Sequence, residues 1–184
     1  MSRSFTLLCE VLAHLRKSNP GLLDGVRIEL YGTMRRDNAP KHLADVARSH
    51  GLDDLVHEDP RWVSYRKSIE ILTGGDAALV LGVDDAGYMP SKLFSYAMSG
   101  RPLLAVLRKD GSALAEFQRI PELGHAIWFD DTGEMPTSAA GEEVSRFLEE
   151  AADRVQFDRR DVLKPFLAPN MARRHVDLFE SCLQ

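Results

Sequence analysis

Five short apolar runs, at residues 26–31, 55–57, 77–81, 102–107 and 126–129, alternate with segments of helical periodicity, and this alternation leaves few folds open. The runs are continuously apolar rather than alternating apolar and polar, the pattern of strands covered on both faces of a parallel sheet. Between them, Phe5, Leu8, Leu12 and Leu15 share one face of a first helix ended by Pro20 and Gly21. Leu43, Val46 and Ala47 mark a second helix stopped at Gly51, and Tyr65, Ile69 and Leu72 a third ended by Gly74 and Gly75. Leu93, Phe94, Ala97 and Met98 mark a fourth, stopped at Gly100. Leu114, Phe117 and Ile120 form a further apolar set, followed by Val144, Phe147, Leu148 and Ala151. A last helix is expected from Asn170, as its cap, through Val176, Phe179 and Leu183. Gly, Thr, Ser, Pro and Ala cluster over residues 130–141, which reads as a loop.

Right-handed crossovers between such strands give a Rossmann-like α/β domain, a doubly wound parallel sheet flanked by helices, expected to occupy residues 1–184 as one unit. The length of 184 residues suits one full core and is too short for two large domains. The chain opens on a helix, whereas a domain of this type usually opens on a strand. An upstream segment and a domain that simply begins with a helix account for this equally well.

A net charge of −5 argues against broad nucleic-acid binding, which needs cationic surface to displace counterions. No apolar run approaches a membrane span, and Glu10, His14, Arg16 and Lys17 interrupt any signal-like stretch, so a cytoplasmic location is expected. Cys9 and Cys182 stand far apart without metal-type spacing and read as buried or idle thiols. The six histidines are scattered. His42, Asp45 and His50 can share a helix face, but without a fourth ligand they make a weak metal site, and no metal is expected. Phosphate-loop, nucleophile-elbow, zinc-helix and dinucleotide glycine motifs do not occur.

The segment richest in chemistry is residues 88–102, YMPSKLFSYAMSGRP. It follows the third strand, where open parallel sheets bind ligands at strand carboxyl ends. Gly82 and Gly87 permit sharp turns, and Pro90 suits a first helical position because its missing N–H costs nothing there. The N–H groups of Ser91, Lys92 and Leu93 would then face an anion, with Lys92 adding full charge. For a lone Pro-Ser-Lys, an ordinary capped helix with a solvated lysine is the commoner case.

Residues 90–102 resemble a segment of the GT-B glycosyltransferases of the group 1, GT4-like family, in which P-S-K-hydrophobic-aromatic-E-Y precedes small-G-K/R-P and a strand. Residues 75–82 are similar to that family's A-D-hydrophobic strand, 26–32 to an earlier strand ending in glycine, and 50–56 to its G-L-x-D-x-V turn. The likeness spans most of residues 26–107 in the family's order. It implies the C-terminal, donor-binding half of a retaining enzyme that uses a nucleoside diphosphate sugar as donor substrate, with no cofactor. Gly87, Tyr88 and Met89 would line the diphosphate or sugar, with Ser91 and Lys92 behind the phosphates. Arg61 or Trp62 would lie by the base, a rim or core role standing equally open for each.

The family's two glutamates, eight positions apart, fall at Gly87 and Ser95. The second glutamate ordinarily accepts both ribose hydroxyls, a bidentate contact one serine hydroxyl does not reproduce. The family's basic pair would precede residue 1. Arg108 and Lys109 would substitute only if turned inward, and they are expected on the surface. The resemblance implies as partners a nucleotide sugar, an N-terminal acceptor domain outside this chain and a peripheral membrane association of the full enzyme, with no nucleic acid. A non-catalytic GT-B-like domain for partner binding or assembly is the alternative.

Overall fold

The computed structural model describes residues 2–33 and 42–182. Six strands, β1 (Ile28–Tyr31), β2 (Val56–Asp59), β3 (Ala78–Leu81), β4 (Leu103–Arg108), β5 (His125–Asp130) and β6 (Gly133–Glu134), alternate with eight helices. The helices are α1 (Ser2–Ser18), α2 (His42–Ser49), α3 (Tyr65–Gly74), α4 (Leu93–Ala97), α5 (Ser112–Arg119), α6 (Thr137–Ala152), α7 (Arg160–Leu163) and α8 (Ala168–Ser181). The architecture is mixed α/β with parallel pairing dominant, as the apolar runs predict. The pairing is nonetheless divided. Among the described residues β1 pairs only with β2, while β3, β4, β5 and the short antiparallel β6 form a separate sheet.

Both sheets share one apolar core on the face covered by α1, α2 and α6. Phe5, Leu8 and Leu12 of α1 meet Leu30, Val56, Val106, Ile127 and Phe129 there. The opposite face of β3–β5 packs Ala78, Val80, Ala105 and Leu107 against Leu93, Leu114, Phe117 and Leu163. Helices therefore lie on both faces, which is why β4 is apolar along nearly its whole length.

Three local expectations change. Residues 130–141 are not all loop: β6 forms at Gly133–Glu134, and α6 starts at Thr137. Gly141 looks like a helix breaker, yet it lies buried where Leu15 approaches within 3.6 Å of the position of an added Cβ. Close α1–α6 packing there offsets glycine's helix cost of roughly 1 kcal/mol. Asn170 does not cap α8, because Leu167 occupies that position, and the Asn170 Nδ2 donates instead to the Lys164 carbonyl at 2.7 Å. Leu183 lies outside the described residues. α8 has no buried residue and leaves Val176, Leu178 and Phe179 exposed.

Cys9 sits in the core, where burial first and the charge of Glu10 second push its thiol up to about 12. Cys182 is exposed. A thiol reagent at neutral pH is therefore expected to modify one cysteine rapidly, Cys182, and to reach Cys9 only on unfolding. Equal labelling rates in the folded protein would contradict this packing. Among the described residues no helix is long and apolar enough to cross a membrane.

Candidate functional site

The carboxyl edge of the larger sheet carries the loop from Gly82 to Lys92 and the β4–α5 and β5–β6 turns. Two contacts fix the loop. The Asp85 side chain accepts from the Gly87 N–H at 2.9 Å, and the Ser112 N–H donates to the Ala86 carbonyl at 3.3 Å. Gly82 is required where β3 ends, since a Cβ there would lie 2.9 Å from the Val106 carbonyl oxygen. The chain then descends through Tyr88 and Met89 into α4, which starts at Leu93 rather than Pro90. Pro90 instead accepts from the Leu93 N–H at 3.0 Å and closes a tight turn ahead of the helix. Gly100, at φ +75°, ends the segment as its composition predicts.

Of the residues singled out after β3, Gly87, Tyr88, Ser91, Lys92 and Ser95 are exposed, and Met89 is half-buried against the second core. Arg61 and Trp62 are exposed at the end of β2, on the other sheet. Arg61 is clamped onto Asp59, with Nη2 2.7 Å and Nε 2.9 Å from its carboxylate. That pairing holds the Asp59 carboxyl down at about 2. Trp62 is 72% exposed, which excludes the core role.

Arg108 departs from expectation. Its side chain is only 12% exposed and turns into the carboxyl edge, bonding Asp131 (2.5 Å), Asp84 (2.6 Å) and Asp110 (2.6 Å). These hydrogen bonds, that from Asp131 foremost, hold the guanidinium above its ordinary range, and Arg108 in turn lowers Asp131. Arg3, from the first turn of α1, lies 3.6 Å from Asp84 and 3.7 Å from Asp131, donates to the Asp130 carbonyl and lies over the Phe129 ring. Lys109 remains on the surface as expected, over the Trp128 ring at 4.1 Å and 3.6 Å from Asp130.

The physical reason is strand parity and loop convergence. Arg108 is the last residue of β4, and three neighbouring turns each bring an aspartate to its planar fork. Sequence reading missed this cluster, because its members come from four separate segments. Arg108 and Lys109 are the members singled out from the sequence, both expected on the surface. Chemically the edge gathers cations from α1 and β4 beside an exposed glycine-containing loop, but four aspartates there outnumber Arg3, Arg108 and Lys109. An anion would have to displace carboxylates to reach either guanidinium.

Glu58 is a second functional-looking group. It is 1% exposed, and its carboxylate accepts from the Thr33 hydroxyl at 2.5 Å and the Ala44 N–H at 2.9 Å. His42 lies 3.9 Å away. The carboxylate thus holds the first turn of α2 onto β2, a structural task. No group of metal-ligating side chains converges among the described residues, so His42, Asp45 and His50 do not assemble a site. His125 joins Glu143 at 2.9 Å and Glu150 at 3.0 Å, tying β5 to α6.

Two shallow concavities of roughly 570 and 590 Å³ lie elsewhere, one by Arg16 and Asp54 near the amino ends of β1 and β2, the other between α1 and α6. No family model, curated protein or solved structure matches this chain. The likeness to the glycosyltransferases therefore rests on the motifs at residues 26–107.

Proposed function

We propose that this chain is the donor-binding domain of a retaining, metal-independent GT-B glycosyltransferase. The observation that carries the reading is the position of residues 88–102: they leave the carboxyl end of parallel β3, form a short helix and return into parallel β4. That is where an open parallel sheet offers a ligand its loop N–H groups. Gly87, Tyr88 and Met89 would meet the diphosphate and sugar, Ser91 and Lys92 would lie behind the phosphates, and Ser95 would face the ribose. Arg108 and Arg3 would supply charge once a diphosphate displaced their aspartates, and Arg61 or Trp62 would approach the base. Leaving-group stabilisation by those cations is the electrostatic work such a reaction needs. The acceptor and the opposing cleft wall would come from another domain.

A second reading, a non-catalytic domain of the same fold, is favoured by the aspartate ring on Arg108 and by Gly87 and Ser95 at the glutamate positions. Titration calorimetry with a panel of nucleoside diphosphate sugars separates the two. Donor binding predicts saturable heat at millimolar ligand. It also predicts about tenfold tighter binding for Ser95→Glu, because a charged bidentate acceptor adds on the order of 1–2 kcal/mol over a hydroxyl. Flat titrations for both proteins would remove the donor-site reading and leave the non-catalytic one.

A further inference from the structure

Arg108 has no hydrogen-bond donor to spare. Its Nε donates to Asp110 at 2.6 Å, and its Nη1 to Asp84 at 2.6 Å and Asp131 at 3.0 Å. Its Nη2 donates to Asp131 at 2.5 Å and to Asp110 at 3.2 Å, so all five N–H groups of the guanidinium are taken. The three carboxylates are not equivalent. Asp110 and Asp131 each engage two of its nitrogens, whereas Asp84 engages one. Asp84 is also the one carried by the loop that follows β3.

The Asp84 carboxylate stands between two cations. One oxygen accepts from Arg108, and the other lies 3.6 Å from Nη1 of Arg3. Neither arginine depends on Asp84 for its position. Arg3 donates through Nη2 to the Asp130 carbonyl and lies over the Phe129 ring. Asp110 and Asp131 hold the Arg108 fork from its other sides. A phosphate oxygen meets a guanidinium in the same geometry as a carboxylate oxygen, so it can take the place of Asp84 and leave both cations where they are.

The attachment of the loop follows that carboxylate. Residues 84–88 are exposed, between the buried Gly82 and the buried Pro90. They are tied across to neighbouring elements by the Asp84 ion pairs and by the Ser112 N–H, which donates to the Ala86 carbonyl at 3.3 Å. The bond from the Gly87 N–H to Asp85 lies within the loop and travels with it.

We infer that the Asp84 carboxylate is an autoinhibitory contact: it fills the anion position between Arg3 and Arg108, and a diphosphate group takes that position only as Asp84 and its loop withdraw. The contact regulates the donor site and rests on the donor-binding reading for its purpose. Loop attachment and diphosphate binding are then mutually exclusive. The apparent affinity for a diphosphate is scaled down by the small fraction of chains in which Asp84 is already displaced.

Titration calorimetry with inorganic pyrophosphate at low ionic strength, with residue-resolved hydrogen exchange on the same proteins, tests this without any nucleotide sugar. Asp84→Ala is expected to bind pyrophosphate about tenfold more tightly than the parent, the effect of removing one charge-assisted bond at a half-exposed position. Asp84→Asn, which keeps the side-chain volume, is expected to shift affinity in the same direction. Asp110→Asn removes the same charge from Arg108 but from outside the loop, and is expected to gain no more than about threefold. The Ser112 amide reports on the loop. It is expected to exchange about threefold faster in the Asp84 variants, and in the parent saturated with pyrophosphate, because the Ala86 carbonyl withdraws. Unchanged pyrophosphate affinity in both Asp84 variants would overturn the contact. An equal gain in Asp110→Asn would reduce the effect to general charge and overturn the assignment to Asp84. A gain in affinity with Ser112 exchange unchanged would overturn the displacement of the loop. Tighter pyrophosphate binding by Asp84→Ala beside flat nucleotide-sugar titrations would remove the donor reading and leave the contact standing.

Discussion

Arg159→Ala is expected to destabilise the fold by about 3 kcal/mol, read as a fall in the urea midpoint at unchanged slope. The guanidinium is buried, with the residue 4% exposed, and it donates to three carbonyls: Glu122 at 2.6 Å, Arg101 at 2.8 Å and Ala97 at 3.3 Å. It also stacks on Phe157, 4.4 Å from the ring centre. Burial depresses its pKa, so the site strains the cation, and removal of the charge returns part of that desolvation energy. The carbonyls decide the sign. Three acceptors positioned for a charged donor lose it together, and each hydrogen bond to a charged group contributes roughly 1.5–3 kcal/mol before the desolvation term is set against it. Arg159→Met separates the contributions by keeping the aliphatic bulk. If the methionine variant is as stable as the parent, the hydrogen bonds contribute nothing and this account fails. The consequence reaches the candidate site, because Ala97 and Arg101 bracket the end of α4 and the entry to β4. Hydrogen exchange at α4 should therefore accelerate in the alanine variant beyond the change seen at β5.

Gly124→Ala is expected to cost more, on the order of 4 kcal/mol. Gly124 has φ +141° and ψ −152°, a region open essentially to glycine alone. A Cβ built there would lie 2.3 Å from the Leu103 carbonyl oxygen and 3.0 Å from the Leu103 Cβ. Neither neighbour is a flexible side-chain end. Leu103 begins the central strand β4, and β5 starts at the next residue after Gly124, so relief of the clash must part the two strands where their ladder begins. Gly133→Ala is the matched control. It has open space around the added methyl and is expected to stay within about 0.5 kcal/mol of the parent in the same urea titration. A Gly124→Ala protein as stable as that control would refute the close approach.

Much of the element order was legible because strand and helix periodicities are local. β4 falls almost on its predicted run, and glycine stops act where expected at Gly51 and Gly100, both with positive φ. The β2 run was placed early, at 55–57. The strand extends through Glu58 and Asp59, whose charges hide it until Thr33 and the first turn of α2 supply partners for the buried carboxylate. Arg159 escaped notice for a similar reason. One arginine of an Arg-Arg pair in a polar stretch shows no sign of burial until α4, β4 and the turn before β5 converge on it. The candidate site was half legible. Residues 88–102 stand at the carboxyl edge expected of them, but Arg108 was assigned to solvent because its three aspartates are contributed by separate turns.

The sequence by itself determined that this chain builds apolar strands joined by amphipathic helices, and that its most distinctive loop follows β3. Those properties depend on side-chain periodicity over a few residues. Only the tertiary structure decided that the cations at the sheet edge are neutralised by aspartates, and that the strands of the described residues divide into two ladders. Both depend on which distant segments meet. The ladder in particular is made by N–H and C=O groups common to nearly every residue, so no side-chain pattern records which strands pair.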